Sequence, residues 1–285
     1  MDDLTKQLSS FIADLQFEDL PEDVVHETKR VLLDSIGCAI GGLSMKRGKI
    51  ARKLATRLGG PLESTILGTN DKVSCDNAAF ANGELINTLD FDAMCGGHVT
   101  PHVVPPALAV AESVGASGKD LILGIVLGHE IGRRIRIGSP EPYQSIPEGP
   151  NKGKINWLPV WGYSACTIGA AVSAGKVLNS SQEKLANAIG IAGYFCPPST
   201  VKKWADTTPV AMIKYGSTGW GAKAGVTAAL LAEEGYAGNT NIFEGESGFW
   251  RYTGNEEWSP EKVVKDLGKR WVSREIIYKQ YPCGH

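Results

Sequence analysis

Asp90, Asp92, His98 and His102 fall in one short stretch, with the glycine pair Gly96-Gly97 among them. Imidazoles change charge near neutral pH, and a neighbouring carboxylate can orient them, so such a cluster is equipped to move protons. Lys214 is the second point of interest. It stands in the stretch Pro209-Val-Ala-Met-Ile-Lys214-Tyr-Gly-Ser-Thr-Gly-Trp220, which is otherwise apolar and glycine-rich. An ammonium stripped of water there needs an anion. The third is the end of the chain, where Lys279 and His285 flank Tyr281-Pro282. The chemistry implied is acid–base catalysis on a negatively charged small molecule. The plainer alternative makes Asp90 and Asp92 backbone caps and lays Lys214 along a helix edge.

Other chemistries lose their motifs on inspection. Gly115-Ala-Ser-Gly-Lys119 lacks the first glycine and the final Ser/Thr of a phosphate loop, and no GxGxxG follows a strand. HExxH and GxSxG are absent. Cys95, His98 and His102 lack a distant fourth ligand, and Pro101 disfavours a helix that would align the two histidines, so no metal is expected. The net charge of -2 gives no basic excess for nucleic acid. No run of apolar residues is long enough to span a membrane. Six cysteines without regular spacing, and an N-terminus without a secretory pattern, fit reduced thiols and a cytoplasmic location.

The elements that must carry these residues read as helices. Leu4, Leu8, Phe11, Ile12 and Leu15 recur at helical spacing. Pro21 opens a second helix, and Gly59-Gly60-Pro61 stops a third that runs over residues 46–58. Residues 63–68 form a short extended segment, and residues 74–89 return to helix. Gly124, Gly128 and Gly132 share one face of a helix over residues 120–137, which invites close approach by a neighbour. Residues 139–156 form a surface loop. Helices follow over 164–177, 181–191 and 207–232, and Ser259-Pro260-Glu261 starts a last one. Residues 274–281 are the best β candidate, being rich in β-branched and aromatic side chains. The expected fold is all-α over residues 1–265. Residues 266–285 then begin a truncated further domain that a following segment or another chain would supply.

Six segments in order resemble the MmgE/PrpD family, which includes 2-methylcitrate dehydratase, cis-aconitate decarboxylase and iminodisuccinate epimerase. They are Leu33-Asp34-Ser35-Ile36-Gly37; Ala81-Asn82-Gly83 through Leu89-Asp90-Phe91-Asp92; Gly97-His98-Val99-Thr100-Pro101 with Val104-Pro105-Pro106-Ala107; Lys214 with Gly219 and Ala222; Leu230-Leu231-Ala232 through Gly248-Phe249; and Lys279 to His285. The resemblance implies a mainly helical first domain, a smaller α+β domain of which residues 266–285 are the truncated start, and an active site in the cleft between them. It implies a cofactor-independent lyase or isomerase that breaks or resets a C–H bond next to a carboxylate of a small polycarboxylic acid, usually as a homodimer.

Carried onto this sequence, the resemblance makes His98, Asp90, Lys214 and Lys279 the catalytic candidates. His102, Asp92, Met94, Trp161, Tyr215 and His285 become the substrate-binding candidates. His98 and His102 compete for the catalytic alignment. Met94 and Cys95 stand where many members carry polar residues, Ser217 where histidine is frequent, and Val160-Trp161-Gly162 where another family histidine belongs. These departures point to a less charged or bulkier acid than citrate. The alternative is a non-catalytic helical subunit, or a fragment, paired with a chain that supplies the second domain.

Overall fold

The computed structural model describes residues 3–141, 143–158, 160–214 and 216–282. Tyr215, Cys283 and His285, singled out in the sequence, lie outside the described residues. Among the described residues the fold is all-α apart from two short hairpins. Its helices are α1 (Leu4–Asp14), α2 (Glu22–Gly42), α3 (Lys46–Leu58), α4 (Cys75–Asn87), α5 (Thr100–Val114), α6 (Gly118–Ile137), α7 (Ala165–Val177), α8 (Gln182–Phe195), α9 (Val201–Ala205), α10 (Thr218–Glu233), α11 (Phe249–Tyr252) and α12 (Pro260–Val264). The hairpins are antiparallel: β1 (Ser64–Thr65) with β2 (Lys72–Val73), and β3 (Tyr143–Ser145) with β4 (Ile155–Trp157). No described helix is long and apolar enough to cross a membrane, and the five described cysteines are unbridged.

Small residues set how closely the central helices approach. A Cβ on Gly124 would meet the Ser173 carbonyl at 2.9 Å, and one on Gly128 the Gly169 carbonyl at 2.9 Å, so α6 lies backbone to backbone on α7. The same holds for α4 and α10, where a Cβ on Gly83 would sit 2.9 Å from the Gly219 Cα. One apolar core is formed by α1, α6, α7 and α8 with Phe243, Phe249 and Trp271. A second lies among α2, α4, α5 and α10. Burying such continuous apolar surface is the main drive to this packing.

Three expectations change. The helix expected from residue 207 begins only at Thr218, where the Ser217 hydroxyl caps the Trp220 amide. Pro209 has no amide proton to give a helix, and Lys214 and Gly216 hold positive φ, so the segment before the cap is turns. Pro101 was expected to disfavour a helix through the histidine loop, but it sits in the first turn of α5, which begins at Thr100 and includes His102, where a missing N–H costs nothing. The strand expected over residues 274–281 reduces to a 3-10 turn (Val272–Arg274) and one antiparallel bridge, Ile277 with Met94. Its β-prone side chains find one partner backbone, too little for a ladder. This tail lies on the helical body, because the Arg134 guanidinium donates to the carbonyls of Val263, Lys265, Asp266 and Arg270.

Candidate active site

The end of α4, the loop that follows it, the segment before α10 and the tail bring four separated stretches to one place. Asn87 is the last residue of α4, and from it the chain turns through Asp90 with a left-handed backbone, φ 55°. The Lys279 ammonium pins that turn, donating to the Asp90 carbonyl at 2.7 Å and to Oδ1 at 2.9 Å. Lys214, also left-handed at φ 54°, places its ammonium 2.9 Å from the same Oδ1. Left-handed backbone at a residue with a Cβ costs roughly 1–2 kcal/mol and persists where the surroundings impose it. Here two such residues bond to each other.

His98 completes the cluster. Its Nδ1 lies 2.8 Å from Asp92 Oδ2, and its Nε2 lies 3.3 Å from Asp90 Oδ1. Asp92 is fully buried and accepts a second hydrogen bond from Asn87 Nδ2 at 3.0 Å. A carboxylate so held fixes the Nδ1 side of the His98 ring and turns its Nε2 toward Asp90 Oδ1, on which the two lysines converge. Burial pushes the Asp90 carboxyl up, but its bonds to Lys279 and Lys214 outweigh this and hold it below the usual carboxylate range. Burial pulls the Lys214 ammonium below the usual lysine range, with Asp90 opposing. The imidazole therefore faces one shared carboxylate and two ammoniums.

The supporting shell was not read from the sequence. Gly96 and Gly97 turn with φ of 60° and 127°. A Cβ on Gly97 would collide with the Tyr163 ring at 2.6 Å, and one on Gly96 would collide with the Arg133 guanidinium. Only glycine lets Tyr163 stand edge-on to His98, ring centres 5.9 Å apart. Glu84 joins three elements near Lys214, accepting from Arg47 of α3 and from the Ser217 hydroxyl and Gly219 amide at the start of α10. Burial raises the Glu84 carboxyl, yet Arg47 and these donors bring it below its ordinary range. The glycines were the one signal available. Glu84 and Asn87 lie inside the 81–92 segment without a role assigned there, Tyr163 and Arg47 lie outside the six segments, and all four are recognised only once the chain is folded.

The other sequence candidates separate. His102 is buried on α5 with its Nδ1 2.8 Å from the His98 carbonyl, and burial lowers its pKa to about 4. Its Nδ1 is thereby spent on backbone, and His98 alone of the two faces the carboxylates and lysines. Met94 reaches the tail through its backbone, in the bridge to Ile277. Trp161 stands beyond Tyr163, ring centres 6.2 Å apart, and stacks on Trp157. Cys95 is buried with its thiol toward the Val272 carbonyl, and burial pushes that thiol up to about 12, so it does not join the histidines. Ligand-type atoms of Asp90, Asp92 and His98 lie within 4.8 Å of one another. The two ammoniums on Asp90 repel a metal cation from that place and suit an anion.

Comparison with known proteins agrees with this architecture. Residues 6–261 match the MmgE/PrpD N-terminal domain, and the chain belongs to that family. It is 27% identical to the cis-aconitate decarboxylase-like protein oryM of Aspergillus oryzae, over 98% of this chain and 58% of that protein. It is 26% identical to the cis-aconitate decarboxylases of Homo sapiens and Aspergillus terreus, over 98% of this chain and 56% and 57% of theirs. The chain thus spans little more than half the length of these curated relatives.

Proposed function

We propose that this member of the MmgE/PrpD family carries the proton-transfer centre of a lyase acting next to a carboxylate of a small polycarboxylic acid. The observation that carries the reading is the convergence of Lys214 and Lys279, each 2.9 Å from Asp90 Oδ1, beside the Nε2 of an Asp92-oriented His98. Two ammoniums converging on one carboxylate oxygen make a place suited to a substrate carboxylate. Charge that develops beside that carboxylate during bond breaking is stabilised by the same preorganised cations. His98 is the acid/base. It takes the proton from carbon when a C–H bond breaks, leaving the electron pair on the substrate. In a decarboxylation the C–C electron pair stays on carbon as carbon dioxide leaves, and imidazolium returns a proton there.

The similarity to decarboxylases favours carbon dioxide loss within the lyase class. Epimerisation begins with the same proton removal and is distinguished by its product. The family relationship also supports a cytoplasmic homodimer, or a complex with a chain bearing an α+β domain that begins within residues 266–285 and encloses Asp90. The direct test incubates the purified chain in D2O with cis-aconitate and a panel of related di- and tricarboxylic acids, followed by proton NMR. Deuterium uptake, alkene formation or carbon dioxide loss is the expected result, and the product names the reaction. Silence from a folded chain across the panel overturns the reading for this chain acting alone.

A further inference from the structure

We infer that Arg47 is a positioning residue for the acid/base cluster: it fixes which way round the Asn87 amide stands, and so sets what Asp92 and the His98 ring meet. Its meaning for catalysis rests on the role proposed above for His98. Arg47 belongs to α3, whose other buried residues are the small Gly48, Ala51 and Ala55. From there the guanidinium reaches three partners. Its Nε lies 2.5 Å from Glu84 Oε2, its Nη1 3.0 Å from Asn87 Oδ1 and its Nη2 3.4 Å from Thr218 Oγ1. A guanidinium presents these donors at separate places on one rigid plane, which an ammonium cannot do.

An asparagine amide has one accepting end and one donating end, and reversing it exchanges them. Asn87 is fully buried at the last position of α4. Arg47 can only donate, so the end it touches is the amide oxygen. Nδ2 then points the other way, 3.0 Å from Asp92 Oδ1 and 3.2 Å from His98 Nδ1. Reversed, the amide would set its N–H groups against the guanidinium and its oxygen against the Asp92 carboxylate, a repulsion at each end. Arg47 thereby gives Asp92 a donor on one oxygen while the other oxygen lies 2.8 Å from His98 Nδ1.

Glu84 holds Arg47 in that place. Its Oε1 accepts from the Ser217 hydroxyl at 2.7 Å and from the Gly219 amide at 2.8 Å. The ion pair that turns the Asn87 amide toward His98 therefore also fixes the first turn of α10, the helix that follows Lys214. Fastening α3 to α4 and α10 needs only the bonds among Arg47, Glu84, Ser217 and Gly219. The bond from Arg47 to Asn87 is the one that bears on the cluster.

The test cuts that bond and leaves no charge unpaired. Arg47→Lys keeps a cation for Glu84 but gathers its donors at one point. Arg47→Met combined with Glu84→Gln removes both charges together, which a buried pair tolerates, and keeps an oxygen for Ser217 and Gly219. The signals read are the Asn87 side-chain amide and the His98 ring nitrogens of ¹⁵N-labelled chain at one fixed pH, identified by their absence in Asn87→Asp and His98→Gln. In both variants the Asn87 amide protons should lose protection from solvent exchange, and the His98 nitrogens should move toward the positions of the charged ring. The direction follows because Asp92, deprived of a donor, leaves more of its charge to the imidazole. Asn87→Asp keeps an acceptor for Arg47 but takes the donor from Asp92, so it should move the His98 nitrogens the same way even if both Arg47 variants unfold. Unchanged signals in a folded Arg47 variant, or unchanged His98 nitrogens in Asn87→Asp, would overturn the inference and leave Arg47 a fastener of helices. Where the D2O assay shows turnover, kcat should fall on the order of tenfold to hundredfold with KM little changed, the cost of misplacing a reacting group. Silence in that assay counts against the lyase reading alone, because the spectra need no turnover.

Discussion

Arg134 and Lys214 are both cations taken out of water, yet their surroundings differ at every bond. Arg134 on α6 pairs with Glu130 one turn away and donates to four backbone carbonyls of residues 263–270, while Glu130 also accepts from the Ser273 amide. Its donors are matched to acceptors, its helix is regular, and it is 2% exposed. Lys214 sits on a left-handed backbone, shares one carboxylate with Lys279 and a histidine, and meets a partner that is 25% exposed. The first cluster is closed and fastens the tail to the body. The second is partly open at Asp90 and gathers two ammoniums, an imidazole and two carboxylates at one place. Burial of charge alone therefore does not distinguish a candidate site; several ionisable groups meeting at a strained, partly open place do.

Four measurements would break or sharpen that contrast. His98→Gln should lower turnover by roughly 10²–10⁴-fold with little change in unfolding free energy, since a general acid/base supplies about that much. Turnover near wild type in the D2O assay would remove His98 from its role. Arg134→Met should do the reverse, costing about 3–5 kcal/mol in denaturant unfolding because Glu130 is left buried and unpaired. Loss of activity per folded molecule without that cost would merge the two clusters into one.

Acid should act on the buried histidines. His102 and His129 have folded pKa values near 4 against an ordinary 6.5, in both cases because burial disfavours the charged ring. Between those values the unfolded chain binds more protons, so stability is complete above pH 6.5 and falls as pH drops toward 4. Urea unfolding at stepped pH should show proton uptake, and His129→Leu should lower the slope by one proton. An unchanged slope in that variant would mean His129 is charged in the folded chain. Lys214→Met should have the smallest effect on stability, within about 1 kcal/mol, because the lost ion pair is offset by relief from burying an ammonium. A loss as large as that of Arg134→Met would make Lys214 structural.

Much of this arrangement was legible before folding. Small residues at helical spacing foretold that a neighbouring helix approaches α6 closely, and the Asp90–His102 stretch, Lys214 and Lys279 were recognisable as groups needing charged partners. Helix periodicity and punctuation are local properties of a chain, so residue types alone determined that this body is helical and where most of its helices stop. Which histidine faces the carboxylates was decided by folding, because His102 spends its Nδ1 on the His98 carbonyl while His98 turns toward Asp92. Folding also decided that residues 274–281 form a bridge rather than a strand, since a strand needs partners that no local propensity supplies. The meeting of Lys214 and Lys279 on one oxygen joins positions far apart in the chain. Such meetings are products of packing among helices, and only the tertiary structure could bring them about.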